Sequence, residues 1–274
     1  MRTALIACAI AIGSAGLAPL GATAQTAPAA AAKPEPEFTF TGNAGLFSDY
    51  RFRGFTQTDY KPAFQGGFDF AHKSGFYLGN WNSNVEQALY NGASLEMDFY
   101  GGYKATFGEF GLDVGVIYYY YPGTNKFKPG VDAKNFEAYI GGSYGPASLK
   151  YYYSFTDFFG LNSNDLGLPG NIDTKGSQYL DLTLTFPFDG GWSVVAHAGW
   201  QKIENLKSFG PNVFGVEEDK YWDYKLGVTY DIGGSGWIVG AAVVGTSEKN
   251  LFTVGDVSEG GGKTRGVVSI SKTF

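Results

Sequence analysis

Two histidines, one G-x-S-x-G run and one acidic triplet are the places where this 274-residue sequence could do chemistry. Hydrolysis would need a nucleophile and a base within hydrogen-bond reach of each other. Gly141-Gly142-Ser143-Tyr144-Gly145 has the spacing of a nucleophile elbow, but that motif works at a strand-to-helix turn. Here Pro146 follows and the surroundings read as a hairpin. The glycine run 233–236 is likewise a hairpin rather than a phosphate cradle. His72 lies in a predicted tight turn, and His197 sits mid-strand between Ala196 and Ala198, where a solvated or hydrogen-bonded role is expected. Glu217-Glu218-Asp219 could hold a divalent cation, yet it lacks the ligand spacing of a calcium loop. Cys8 is the only cysteine, so no Cys/His metal cluster and no disulfide framework is expected. The sequence therefore points to no catalytic residue, no metal and no cofactor.

What remains is charge at alternate positions. In residues 222–232, Trp222, Tyr224, Leu226, Val228, Tyr230 and Ile232 alternate with Asp223, Lys225, Gly227, Thr229 and Asp231. A strand turns successive side chains to opposite faces, so such a ribbon is greasy on one side and wet on the other. The same parity elsewhere collects Asp69, Glu96, Asp98, Asp113, Glu137 and Asp181, and Arg51, Arg53, Lys104, Lys150, Lys263 and Arg265, with His197 among them. Gln65, Asn80, Asn82, Tyr152, Thr183, Thr185 and Ser269 fill the gaps. A Lys or Arg facing lipid near mid-bilayer costs about 2–4 kcal/mol, so this parity is the wet one if the chain spans a membrane. The charges either pair across strands inside a narrow barrel or line a pore. Neither sign dominates. Arg51 and Arg53 stand at the end of the first strand beside Asp49, where they could draw in an anionic solute or form a structural ion-pair cluster.

The elements that must position these residues are strands. Twelve are predicted, at 38–53, 62–71, 75–83, 93–107, 110–121, 135–144, 147–158, 176–188, 192–201, 221–232, 237–246 and 263–274. Aromatic residues make up 17%, charged residues 17%, and there are 41 glycines, a balance suited to strands and tight turns. Short connections at 72–74, 108–109, 145–146, 189–191 and 233–236 alternate with long polar ones near 54–61, 84–92, 122–134, 159–175, 202–220 and 247–262. An antiparallel up-and-down transmembrane barrel has this alternation, with short periplasmic turns and long extracellular loops. Its interior would lie between the filled eight-stranded and the open sixteen-stranded cases. Outside the N-terminus no apolar run of some 20 residues exists, so no spanning helix is expected. The net charge of −6 argues against a nucleic-acid partner.

Residues 1–24 read as an export signal, with Arg2, an apolar stretch over 4–20 and the A-x-A site Ala22-Thr23-Ala24. Cys8 stands too early in that stretch for a lipid-modified terminus. Residues 25–37, rich in Ala and Pro, read as a flexible leader, and 38–274 as the barrel. Trp81, Trp192, Trp200, Trp222 and Trp237 are assigned to the apolar parity near strand ends, as membrane-interface anchors with Phe274. Trp192 and Trp200 would stand roughly 20 Å apart along the membrane normal, close to the ~25 Å apolar band of such barrels. An alternating last strand that closes on Phe274 resembles the assembly signal of bacterial outer-membrane proteins. The expected partners are thus outer-membrane lipids, small hydrophilic solutes and the barrel-assembly machinery. The sequence sets no oligomeric state.

Residues 48–70, SDYRFRGFTQTDYKPAFQGGFDF, and 75–85, GFYLGNWNSNV, resemble the start of the TorF-type family of porin-like exported proteins of proteobacteria. The resemblance implies an outer-membrane β-barrel, with no substrate and no binding residue to carry over. The expected function is passive diffusion of small hydrophilic solutes, filtered by lumen size and charge. The alternative is a structural or surface-binding barrel whose loops at 159–175 and 202–220 meet a ligand.

Overall fold

The computed structural model of this chain describes residues 36–128, 130–210, 218–253 and 256–274. The export signal and nearly all of the leader lie outside the described residues, as does Glu217 of the acidic triplet. Fourteen strands follow in chain order: β1 (Phe38–Phe47), β2 (Arg51–Phe52), β3 (Phe55–Thr56), β4 (Ala63–His72), β5 (Phe76–Asn84), β6 (Leu95–Phe107), β7 (Phe110–Tyr120), β8 (Lys134–Tyr144), β9 (Ala147–Ser154), β10 (Gln178–Pro187), β11 (Trp192–Lys202), β12 (Lys220–Asp231), β13 (Trp237–Thr246) and β14 (Arg265–Thr273). Twelve of them form one closed antiparallel barrel, in which β1 pairs with both β4 and β14. The remaining two, β2 and β3, form a separate hairpin.

Alternation sets the faces as the strand period requires. Leu78, Phe68, Ile140, Leu182, Leu226, Val243 and Val268 are exposed on the outside. Residues of the opposite parity on the same strands, among them Gln65, Glu137, Tyr179 and Asp223, are buried inside. Cross-strand register keeps like with like: Leu182 faces Ala198, and Trp200 faces Trp222, while His197 faces Lys225. A large exposed apolar surface is a lipid-facing or partner-facing surface. Tight turns join successive strands at one end of the barrel. In the β12–β13 turn the Asp231 carboxylate accepts from the Gly234 amide at 3.1 Å. Among the described residues no helix is long and apolar enough to cross a membrane.

Three local departures from the sequence-based reading have physical causes. The first wall strand ends at Phe47 rather than 53, because the chain turns inward there and builds the β2–β3 hairpin. Strand β9 stops at Ser154, and Phe158 packs over the loop-side mouth instead. Trp81 is not an interface aromatic. It pairs with Gly67 on the inward parity and meets Tyr50 edge-on at 5.4 Å. Asn80 and Asn82 face outward in its place. Asn82 Nδ2 donates to Asn80 Oδ1 at 2.6 Å, and both amides also donate to backbone carbonyls, so their polar groups are satisfied on the outer face.

Height along the barrel divides the interior. Inward positions toward the long loops, such as Asn135, Ser154, Gln201 and Tyr221, are buried. Toward the tight turns, Ser148, Thr183, Thr185, Ser193, Val195 and Thr229 are partly accessible. The lumen is filled at the loop end, while at the turn end these partly accessible positions stand beside buried ones, Tyr77, Asp113, Ile238 and Ser271.

Candidate functional site: an arginine seated in the filled mouth

The filling is residues 49–58, with Tyr50, Arg51, Phe52, Arg53, Phe55, Thr56, Gln57 and Thr58 all buried. A two-residue turn makes the hairpin tip: Arg53 has φ +45° and Gly54 φ +84°. Two successive left-handed residues are what the favoured hairpin turn demands, and glycine meets that demand without strain. Arg53 adopts it at a cost that surrounding contacts must offset.

Asp49 anchors the base of the hairpin. Its carboxylate accepts from Arg51 Nε and from the Thr56 and Thr58 hydroxyls. Arg51 also donates to the Gly261 carbonyl at 2.7 Å, tying the hairpin to the β13–β14 loop. On one flank Phe52 meets Tyr119 edge-on at 5.7 Å. On the other, Phe55 meets Tyr221 at 5.2 Å and Phe252 at 4.9 Å. Phe158, Ile203, Leu206 and Leu251 close over this side as an apolar cap.

Arg53 reaches across the lumen. Its guanidinium donates to Glu137 Oε2 at 2.6 Å and to Gln201 Oε1 at 2.7 Å. The Tyr179 ring centroid lies 4.3 Å from it, with Phe52 at 4.8 Å, Tyr152 at 5.6 Å and Phe158 at 5.8 Å. Asn135 donates to the other Glu137 oxygen at 3.0 Å and orients the carboxylate. Burial opposes the charge on Arg53, but Glu137 outweighs it and holds the arginine above its ordinary pKa. Next to it, the Tyr50 hydroxyl donates to Glu96 Oε1 at 2.9 Å. Burial first, then Glu96 and Asp98, push the Tyr50 phenol well above its usual range.

Buried charge is sorted by its carrier. Among the described residues the most deeply buried charges of the barrel wall are carboxylates, Glu96, Asp98, Glu137 and Asp223, while Asp113 pairs with the similarly enclosed Lys150 and Asp223 with His197. The two buried cations, Arg51 and Arg53, both ride on the hairpin. Glu96 Oε2 and Asp98 Oδ1 are buried without a hydrogen-bond partner.

Below the hairpin, His197 Nε2 lies 2.9 Å from Asp223 and 3.1 Å from the Tyr179 hydroxyl. Its Nδ1 lies 3.2 Å from Thr183 and 3.4 Å from Asp181. A cavity of about 40 Å³ separates this group from Arg53, Gly54 and Lys225, room for a water molecule or two. Nearer the turns, Lys150 pairs with Asp113 at 2.7 Å, Lys104 sits 5.0 Å from the Tyr77 ring, and Tyr100 donates to Asp69 at 2.7 Å. Arg265 leaves the strand end to stack 3.8 Å from the Tyr60 ring. Lys263 is not on the wall at all. It is exposed in the bend before β14, and its carbonyl accepts from Arg51. Trp192, Trp200, Trp222 and Trp237 keep the outward parity, and Trp192 packs on Tyr230 at 4.7 Å. Phe274 follows β14 and is exposed.

Ser143 of the G-x-S-x-G run lies at the end of β8 beside the β8–β9 turn. Asp219 of the acidic triplet accepts from the Lys207 amide at 2.7 Å. Sequence reasoning treated 54–61 as an ordinary outer loop and missed the inward fold. Arg53-Gly54 between two aromatics was a hairpin signal hidden inside what looked like a strand end.

A family model described as "Bacterial protein of unknown function (Gcw_chp)" matches residues 31–274. Among solved structures the chain is similar to the KdgM porin, at 11% identity and a TM-score of 0.51, over 85% of this chain and 99% of that one. It is similar also to the NanC porin, at 7% identity and a TM-score of 0.54, over 86% and 99%. At such identities the likeness is one of fold. No curated protein sequence matches the chain.

Proposed function

The chain belongs to the Gcw_chp family of bacterial proteins, and we propose that it is a porin-like outer-membrane channel for small hydrophilic solutes, closed at rest by its own β2–β3 hairpin. The observation that carries this reading is the pairing of an apolar, exposed outer wall with a polar interior that stays partly accessible in its turn-side half. A polar lumen behind a greasy wall is how barrels span a bilayer. The resemblance of residues 48–70 and 75–85 to TorF-type proteins supports the same reading, as does the porin fold of the two similar solved structures. Residues 1–24 then export the chain, the turns face the periplasm, and the Phe274 strand is offered to the assembly machinery. Lipid takes the outer face, and Trp192 and Trp237 mark one interface while Trp200 and Trp222 mark the other.

Asp69, Lys104, Asp113, Lys150, Asp181, His197 and Lys225 line the periplasmic vestibule, with Asp231 at its rim. Filtering rests on size and charge at these groups, not on bond chemistry. His197 serves to bind Asp181 and Asp223 across three strands.

The buried hairpin favours a second reading, a permanently closed barrel that binds a ligand at its surface. Current across a planar bilayer separates the two. Purified, folded protein should give brief steps between long silences. Silence from both the wild type and hairpin-displaced variants would support the closed barrel instead.

A further inference from the structure

We propose that the cavity holding the Arg53 head is a guanidinium-binding site of the lumen, filled here by the chain's own arginine, and that it receives guanidinium-bearing solutes when the hairpin leaves. The proposal deepens the channel reading and rests on it only for the path by which a solute arrives. Two features of the site fit a guanidinium better than a compact cation, and a third makes the site part of the wall. Glu137 and Gln201 supply two acceptors, at 2.6 and 2.7 Å, to two different nitrogens of one planar group. A rigid fork of donors is the arginine signature, whereas an ammonium is a compact point charge. Tyr179 presents its ring at 4.3 Å and Tyr152 at 5.6 Å, the arrangement that favours a delocalised cation in a dry setting. Both tyrosines, Glu137 and Gln201 sit on wall strands β8 to β11, so the site persists when the hairpin withdraws.

Charge completes the argument. Withdrawal of the hairpin removes both buried cations and leaves the wall's carboxylates facing water. Glu96 and Asp98, two buried carboxyl groups of β6, lie on the wall that the hairpin then uncovers. The emptied mouth attracts cations, and the aromatic-lined fork selects among them. A solute that enters must displace Arg53, so cargo and closing device compete for one seat.

The test uses Arg53→Ala protein, folded in detergent, titrated calorimetrically with methylguanidinium and with methylammonium. Methylguanidinium should bind the variant roughly tenfold or more tightly than it binds the wild type, where the seat is taken. Methylammonium should gain far less, and adding Glu137→Gln should abolish the gain. Equal binding by wild type and variant overturns the proposal, as does a gain shared by methylammonium or one indifferent to Glu137→Gln. A second measurement needs no variant. Methylguanidinium added to the wild type should speed hydrogen exchange at the amides of residues 50–58, by competing with Arg53, and no change there also overturns the proposal. Binding is read without current, so a barrel that binds but never conducts refutes the channel reading alone. One that conducts but shows no preference for methylguanidinium refutes this site alone.

Discussion

Replacing Gly54 with valine should hold the barrel open. The residue sits at φ +84°, a conformation that a β-branched side chain scarcely adopts. Space is also missing. A Cβ at this position would fall against the Thr246 methyl, 2.8 Å from Asp223 Cβ and 3.0 Å from the Gly245 carbonyl oxygen. Those atoms belong to the hydrogen-bonded wall at β12 and β13 and its exit, which cannot yield without breaking strand pairs. The hairpin yields more readily, since β2 and β3 join no wall strand and the backbone bonds of Thr56 and Gln57 go to Gly261 and Glu86 in loops. Backbone strain of about 1–3 kcal/mol is already roughly five- to 150-fold in the ratio of docked to free hairpin. In planar bilayers Gly54→Val should therefore stay open for most of the recording, where the wild type opens briefly. Gating indistinguishable from wild type would show that the hairpin does not close the pore.

Glu137→Ala is expected to act through the same equilibrium from the opposite wall. With Glu137 gone, Arg53 would be a buried charge with only Gln201 as a direct polar partner. Stranding one partner of a buried ion pair costs about 3–5 kcal/mol. The full cost need not appear as lost barrel stability, because a hairpin outside the lumen returns Arg53 to water. Urea denaturation of the barrel should change little, and the ratio of free to docked hairpin should rise by roughly two to four orders of magnitude at most. Trypsin offers the readout. Arg51 and Arg53 are buried in the native chain, so the bonds after them should resist cleavage in the wild type and be cut in Glu137→Ala. Uncut hairpin together with a large loss of barrel stability would mean that the segment is a fixed part of the fold.

The wall was legible because one repeat encodes it. Trp222 to Ile232 reads its two faces directly, and the glycine-bearing turns mark where each ribbon reverses. Twelve strands could be counted, since a residue's exposure to lipid or water is a local property. Trp81 escaped this logic. On β5 the wet-parity position holds tryptophan and its flanks hold asparagines, because Tyr50 of the hairpin needs an aromatic partner and Asn80 with Asn82 satisfy each other outside. The hairpin itself was invisible for the same reason. Its contacts link residues far apart in sequence, Arg53 to Glu137 and Gln201, Arg51 to Gly261, and no local pattern states which side of a barrel a loop enters. Arg51 and Arg53 drew notice as a pair of charges. That they close the mouth follows only from seeing Gly54 pressed against the wall.

Thiol accessibility tests the arrangement most directly, since residues 36–274 hold no native cysteine. Single cysteines at Thr183, Leu182 and Ser154, in protein inserted into vesicles, would report the wet vestibule, the lipid face and the filled mouth. A charged, membrane-impermeant thiol reagent reaching the turn side should modify Thr183→Cys and spare Leu182→Cys. Ser154→Cys should be protected until Gly54→Val is introduced in the same chain. Modification of Leu182→Cys with protection of Thr183→Cys would turn the barrel inside out and contradict the account.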